Sequence, residues 1–362
     1  MNVQGKTILV GTGKGLIIFR KTSSGWKIDK VHFLGFPVAM VYVDDRTNTW
    51  WAGIAHRHWG QKLHYSNDEG QSWTAVAAPV YPRDAMLKAR KPATLSKVWC
   101  MAHAGHDRPN ELYIGTEPGG LFHSQDGGLT FQLVENLWNH PSRQKEWFGA
   151  GRDHPFIHSI VVDPKDSHHF YIAVSCAGVF ETRDNGHTWH ARNQGLKATY
   201  LPNPDVEVGH DPHLLYACCS QPDVMWQQNH CGVYRSVDAG QTWKDVSGPD
   251  GFPYYGFALG IDHDNPDRAW VIPAISDEMR VAHDLSLCVC RTEDAGQTWQ
   301  ALRNGLPQDH CFDIVFRHSL AVHQEKLVFG TTTGNLFLSE NGGDNWEVLS
   351  SFLPRVDSVV MV

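Results

Sequence analysis

Ser236-Val-Asp-Ala-Gly-Gln-Thr-Trp243 and Thr292-Glu-Asp-Ala-Gly-Gln-Thr-Trp299 are two copies of one octapeptide, Ser/Thr-x-Asp-x-Gly-x-Thr-Trp. Three more are Ser66-Asn-Asp-Glu-Gly-Gln-Ser-Trp73, Ser124-Gln-Asp-Gly-Gly-Leu-Thr-Phe131 and Thr182-Arg-Asp-Asn-Gly-His-Thr-Trp189. A weaker copy, Ser339-Glu-Asn-Gly-Gly-Asp-Asn-Trp346, has Asn341 in the Asp slot. The closing aromatics fall at 73, 131, 189, 243, 299 and 346, and the last interval, measured back from Trp73, reaches Trp26 and a degraded copy. The octapeptide reads as a hairpin turn. Its Asp accepts hydrogen bonds from backbone N–H groups of its own loop, its Gly supplies a positive φ, and Thr-Trp opens the next strand.

Four short strands, a to d, fit each interval. In the fourth unit they are Phe156-Ile-His-Ser-Ile-Val-Val162, Phe170-Tyr-Ile-Ala-Val174, Gly178-Val-Phe-Glu181 and His187-Thr-Trp-His-Ala191. The pattern restarts near Val38, Val98, His213, Phe257 and Phe312. Repeated four-stranded units of this period predict one all-β domain over residues 1–362, a seven-bladed β-propeller. The first unit has only three strands, and Val356-Asp-Ser-Val-Val-Met-Val362 reads as the missing one, closing the ring and removing exposed sheet edges.

These octapeptides resemble the Asp-box (BNR) repeats of sialidases, sortilin-type receptors, xyloglucan-processing glycosidases and photosystem-assembly factors. The resemblance spans the chain, and length and motif order are similar to bacterial cytoplasmic BNR-repeat proteins labelled glycosyl hydrolase or exo-sialidase. It implies the propeller. It says little of activity, because these families share the turn rather than the site. The Arg-Ile-Pro motif of sialidases is absent, Arg20 and Arg46 lack that context, and sialidases use six blades, so sialidase chemistry proper is disfavoured.

Composition narrows the class. The 362 residues are 41% hydrophobic and 19% charged, with 33 Gly and 19 Pro, which suits a large core of short strands joined by turns. A net charge of −8 without a basic stripe disfavours nucleic-acid and anionic-membrane partners. The opening residues have no apolar leader region, so a cytoplasmic protein is expected. Eight cysteines without a CxxC pair read as free thiols.

The 22 histidines point to a site. In an antiparallel meander, starts of strand a and the b–c loops meet at one mouth of the channel, while the octapeptides lie at the opposite, outer end. Mouth positions read this way are Lys14, His56 and His58, Glu117, Arg152, His158, His213, His230, and Arg280 in a long insertion over 276–283. Thr331-Thr-Thr333 is the contribution of the seventh unit. Imidazoles suit a single divalent Zn, Mn or Fe, so His56, His158, His213 and His230 are the expected ligands. Glu117, His158 and His213 would carry catalysis. Lys14, His58, Arg152, Arg280 and Trp138 would hold a small polar or anionic substrate, such as a sugar or carboxylate. The expected activity is metal-assisted hydrolysis or elimination. Two alternatives stand beside it: a non-catalytic ligand- or protein-binding propeller, and a metal-free glycosidase pairing Glu117 with Glu207 or Asp211. His168, His169, His187, His190 and His263 read as surface residues.

Overall fold

Alternation of apolar and polar residues, broken every few residues by Gly, Pro or Asp, produces 28 short strands in the computed structural model, which describes residues 5–88, 90–149 and 151–362. They form seven four-stranded antiparallel sheets, the blades of one ring. Six blades run a–b–c–d in chain order, as in blade four: Ile157–Asp163, Asp166–Val174, Gly178–Thr182 and His190–Ala191. Blade one is assembled from both ends of the chain. Val356–Met361 pairs antiparallel with Thr7–Thr12, Leu9 opposite Val360 and Val10 opposite Val359. Among the described residues no helix is long and apolar enough to cross a membrane.

Each Asp turn satisfies itself. In the fifth blade Asp238 Oδ1 accepts from Ser236 Oγ at 2.7 Å and from Thr242 N at 2.9 Å, while Ser236 Oγ accepts from Gly240 N at 2.9 Å. The turn at Asn341 keeps the same acceptor, bonded by Asn345 N at 3.0 Å. Two of the closing indoles tie blade to blade: Trp243 Nε1 donates to Arg192 O and Trp299 Nε1 to Val246 O. Hydrophobic clusters lie between neighbouring blades, with Trp51, Tyr81, Phe122 and Trp138 together in one of them.

In blades three and seven one position of strand b lies so close to the next blade that it has no room for a side chain. A Cβ on Gly115 would lie 2.6 Å from Ile157 O, and one on Gly330 would lie 2.3 Å from Val356 Cγ1. The start of blade seven differs from expectation. Its strand a is Leu320–His323, and Phe312 lies exposed in an extended segment with no ladder partner. His169, expected at the surface, is buried between Asp163 and Glu181, with Arg183 and Arg192 completing the charge network.

Gly330→Val should cost about 3 kcal/mol or more through overpacking against Val356, read as a lower denaturation midpoint. Hydrogen bonds from the Thr130 hydroxyl and amide, outweighing burial, hold Asp126 down at about 2. For Asp184 burial pushes upward, but the Thr188 and Thr182 bonds prevail, again giving about 2. A depressed folded pKa contributes stability above the unfolded value near 4, and that stability disappears as pH falls through about 2. Asp126→Asn/Asp184→Asn should therefore lose less stability between pH 4 and pH 2 than the parent, measured by urea denaturation at each pH.

Candidate functional site at the channel mouth

Every strand a enters from the same rim, so its first residues converge. Lys97 and Trp99 come from blade three, Phe156 from blade four, Asp211 and His213 from blade five, and Tyr255 and Phe257 from blade six. Phe316, Arg317 and His318 precede strand a of blade seven, and Arg355 and Asp357 lead the closing strand of blade one. His230, Asp277, Arg280 and Arg152 complete a cavity of about 230 Å³.

Cations dominate its wall, and their pairing is uneven. Arg355 forms a bidentate pair with Asp357, both bonds 3.0 Å, and Arg152 pairs with Glu117. Arg317 and Lys97 form no ion pair or hydrogen bond among the described residues, and Arg317 Nε is buried without a partner. Aromatic faces hold them instead. The Arg317 guanidinium carbon lies 5.1 Å from the rings of Phe156 and Phe257 and 5.8 Å from Trp99, and Lys97 Nζ stands 3.5 Å over Trp99. Trp99 stacks on Phe156 at 4.1 Å. Burial pushes the Lys97 ammonium down to about 8 and the His318 imidazole to about 4.

Asp211, His213 and His230 form the reactive-looking centre. The His230 amide donates to Asp211 O at 2.9 Å, which fixes the tight b–c turn of blade five against the start of its own strand a. Asp211 Oδ1 accepts from Ser175 Oγ at 2.7 Å and Cys176 N at 3.2 Å. His213 Nδ1 donates to Gly256 O, and its ring lies nearly parallel to Phe257 at 4.6 Å. Asp211 Oδ2 faces His213 Nε2 at 3.4 Å and His230 Nδ1 at 3.6 Å. On the other side, His230 Nε2 faces Asp277 Oδ2 at 3.7 Å. Burial pushes the Asp211 carboxyl up, but its polar and charged neighbours, Arg317 among them, prevail and hold it well below the usual carboxylate range. Burial pushes the His213 imidazole down.

Of the residues expected from sequence, Arg152, His213, His230 and Arg280 meet here, together with Asp211. The others are elsewhere. His56 Nδ1 accepts from the amides of His58 and Trp59, capping its own turn, and with Lys14 and His58 it lines a separate shallow depression. His158 is buried deeper in the channel, its Nδ1 bonded to Ser159 Oγ and its carbonyl accepting from His318 Nε2. A four-histidine centre is therefore not formed. Glu117 is buried behind the wall, held by Arg152 and Trp99 Nε1, so it does not pair with Asp211 across a cleft. Trp138 is a core residue with the Arg143 guanidinium over its ring at 3.2 Å, and offers no stacking platform to a ligand. Thr331 and Thr333 bond within their own turn and to Asp313. Sequence reasoning missed Lys97, Trp99, Arg317, Asp277 and Asp357. Arg317-His318 looked like part of a strand because strand a was placed near Phe312.

No protein-family model matches the chain. It is 29% identical over 165 residues to an oligoxyloglucan-reducing end-specific xyloglucanase of Emericella nidulans, a match covering 45% of this chain and 18% of that protein. Among solved structures, an ancestral GH74 enzyme superposes with a TM-score of 0.58 at 17% identity, over 94% of this chain and 40% of the other. The periplasmic gluconolactonase of Pseudomonas aeruginosa superposes with a TM-score of 0.60 at 12% identity, over 99% of both chains. The chain thus spans less than a fifth of the xyloglucanase it matches, and the structural likenesses show a shared β-propeller fold.

Proposed function

We propose that this propeller is a carbohydrate-directed hydrolase that cleaves an acidic sugar at the channel mouth. The observation that carries the reading is the pair Arg317 and Lys97, two cations without a carboxylate partner on the wall of a cavity that also holds Asp211 and Asp277. A buried cation without a direct ion pair is costly, and a ligand carboxylate or phosphate would offset that cost. Sequence similarity to a xyloglucanase supports the carbohydrate class.

The roles follow from position. Arg317, Lys97 and Arg280 bind the anionic group. Asp211, ionised and fixed by Ser175, orients the attacking water with the help of the imidazoles. Asp277, half exposed on the loop clipped shut by pairing of Ala274 with Ala282 and facing His230, is the carboxyl group placed to act as general acid on the departing oxygen. The water oxygen bonds to the anomeric carbon as the glycosidic C–O bond breaks. The departing oxygen leaves as a hydroxyl, and the proton released by the water passes to solvent, so the step consumes one water and no net proton.

Release of reducing ends from uronate-containing oligosaccharides and from neutral xyloglucan oligosaccharides tests the reading. Acidic substrates should be cleaved and neutral ones should not. Arg317→Gln should raise KM about 10–100-fold, and Asp277→Asn should lower kcat at least about 100-fold. Failure to cleave either class, or equal cleavage of both, overturns it. Lys97 holds its charge only below about 8, so KM for acidic substrates should rise as pH passes that value. Lys97→Arg should move that rise to higher pH.

A further inference from the structure

We infer that Asp211 Oδ2, His213 Nε2 and His230 Nδ1 hold one divalent transition metal, a deepening that rests on the same site as the hydrolase reading. The three atoms converge, with donor atoms of all three residues within 4.8 Å of one another. The separations of 3.4 and 3.6 Å are not hydrogen bonds, yet they are close to the roughly 3.4 Å expected between two ligands of a tetrahedral ion with bonds near 2.1 Å.

The surrounding bonds are those a ligand set needs. A carbonyl can only accept, so the Gly256 contact puts the His213 proton on Nδ1 and leaves the Nε2 lone pair facing inward. Ser175 and Cys176 occupy Asp211 Oδ1 and leave Oδ2 free of hydrogen bonds among the described residues. The backbone bond from His230 N to Asp211 O fixes two of the three ligands in one frame. Two imidazoles and one carboxylate on one side, with the cavity on the other, suit Fe(II), Mn or Zn with positions open to water and substrate. Bound there, such an ion lowers the pKa of a coordinated water and polarises a substrate oxygen.

The same cavity explains a further property. Arg317 and Arg280 face the space the ion would share, so a divalent charge adds to a wall already rich in cations. An anion held by the guanidinium groups would offset that repulsion. Metal and anionic sugar should then each tighten the binding of the other by the same factor.

The test uses the full chain without a histidine tag, stripped with chelator and titrated with Zn, Mn or Fe(II) under calorimetry, with metal content measured after dialysis. One equivalent is expected, with affinity rising at least 5-fold when glucuronate is present. His213→Ala and His230→Ala should each weaken binding at least about 10-fold, and thermal melts of the stripped variants report whether they fold. His103→Ala, in a second ligand-type cluster with Asp45 and His106, should leave the affinity unchanged. No stoichiometric binding, or unchanged affinity in both folded histidine variants, overturns the inference. Undiminished hydrolysis by stripped protein also overturns it while leaving the hydrolase reading intact.

Discussion

The pairing of Val356–Met361 with Thr7–Thr12 is the constraint on which the molecule depends. Without it the ring has two open sheet edges and no fixed circumference. It also builds the mouth. The residues that lead the closing strand, Arg355 and Asp357, are part of the cavity wall, so the event that completes the fold also completes the candidate site. Close packing of neighbouring blades at Gly115 and Gly330 then holds each strand a at one radius. Convergence of residues more than a hundred positions apart follows from that geometry rather than from any local motif.

Electrostatics at the mouth runs against the rest of the surface. The chain carries a net charge of −8, yet Lys97, Arg152, Arg280, Arg317 and Arg355 gather against Asp211, Asp277 and Asp357. Two of the cations are neutralised in ion pairs, whereas Arg317 relies on three aromatic rings. Cation–π contacts contribute about 0.5–2 kcal/mol each. A full charge pair at about 4 Å near a protein surface gains about 4 kcal/mol. The rings can hold the guanidinium in place without saturating it, which leaves it free to pair with an incoming anion.

The fold was legible because it is periodic: six octapeptides and a seventh aromatic fix the blade count, and the spare strand at the end of the chain has one place to go. The site was legible only where periodicity also governs it. His213 and His230 sit at a strand start and a b–c turn, the two positions that meander geometry sends to the mouth. Arg317 was hidden because the chain between Cys311 and Phe316 is apolar enough to pass for a strand while forming no ladder. Lys97 and Trp99 bracket the predicted start at Val98 and look like ordinary alternation. Asp277 was within the insertion expected to cover the mouth, but nothing in the sequence aims its carboxyl at His230.

The two populations of aspartate show what separates scaffold from site. Asp68, Asp126, Asp184, Asp238 and Asp294 are held ionised by hydroxyl and amide donors within their own turns, and both oxygens of each are bonded there. Asp211 is held ionised too, but one oxygen is bonded to Ser175 and Cys176 and the other faces two imidazole nitrogens at 3.4 and 3.6 Å without a hydrogen bond. The histidines divide the same way. His56 gives its Nδ1 lone pair to two amides of its own loop, whereas His213 spends its proton on a distant carbonyl and keeps its lone pair. A polar side chain consumed by its own turn has nothing left for a ligand. Residues whose partners come from other blades are positioned by the whole ring and retain bonding capacity, and in this protein those residues line the mouth.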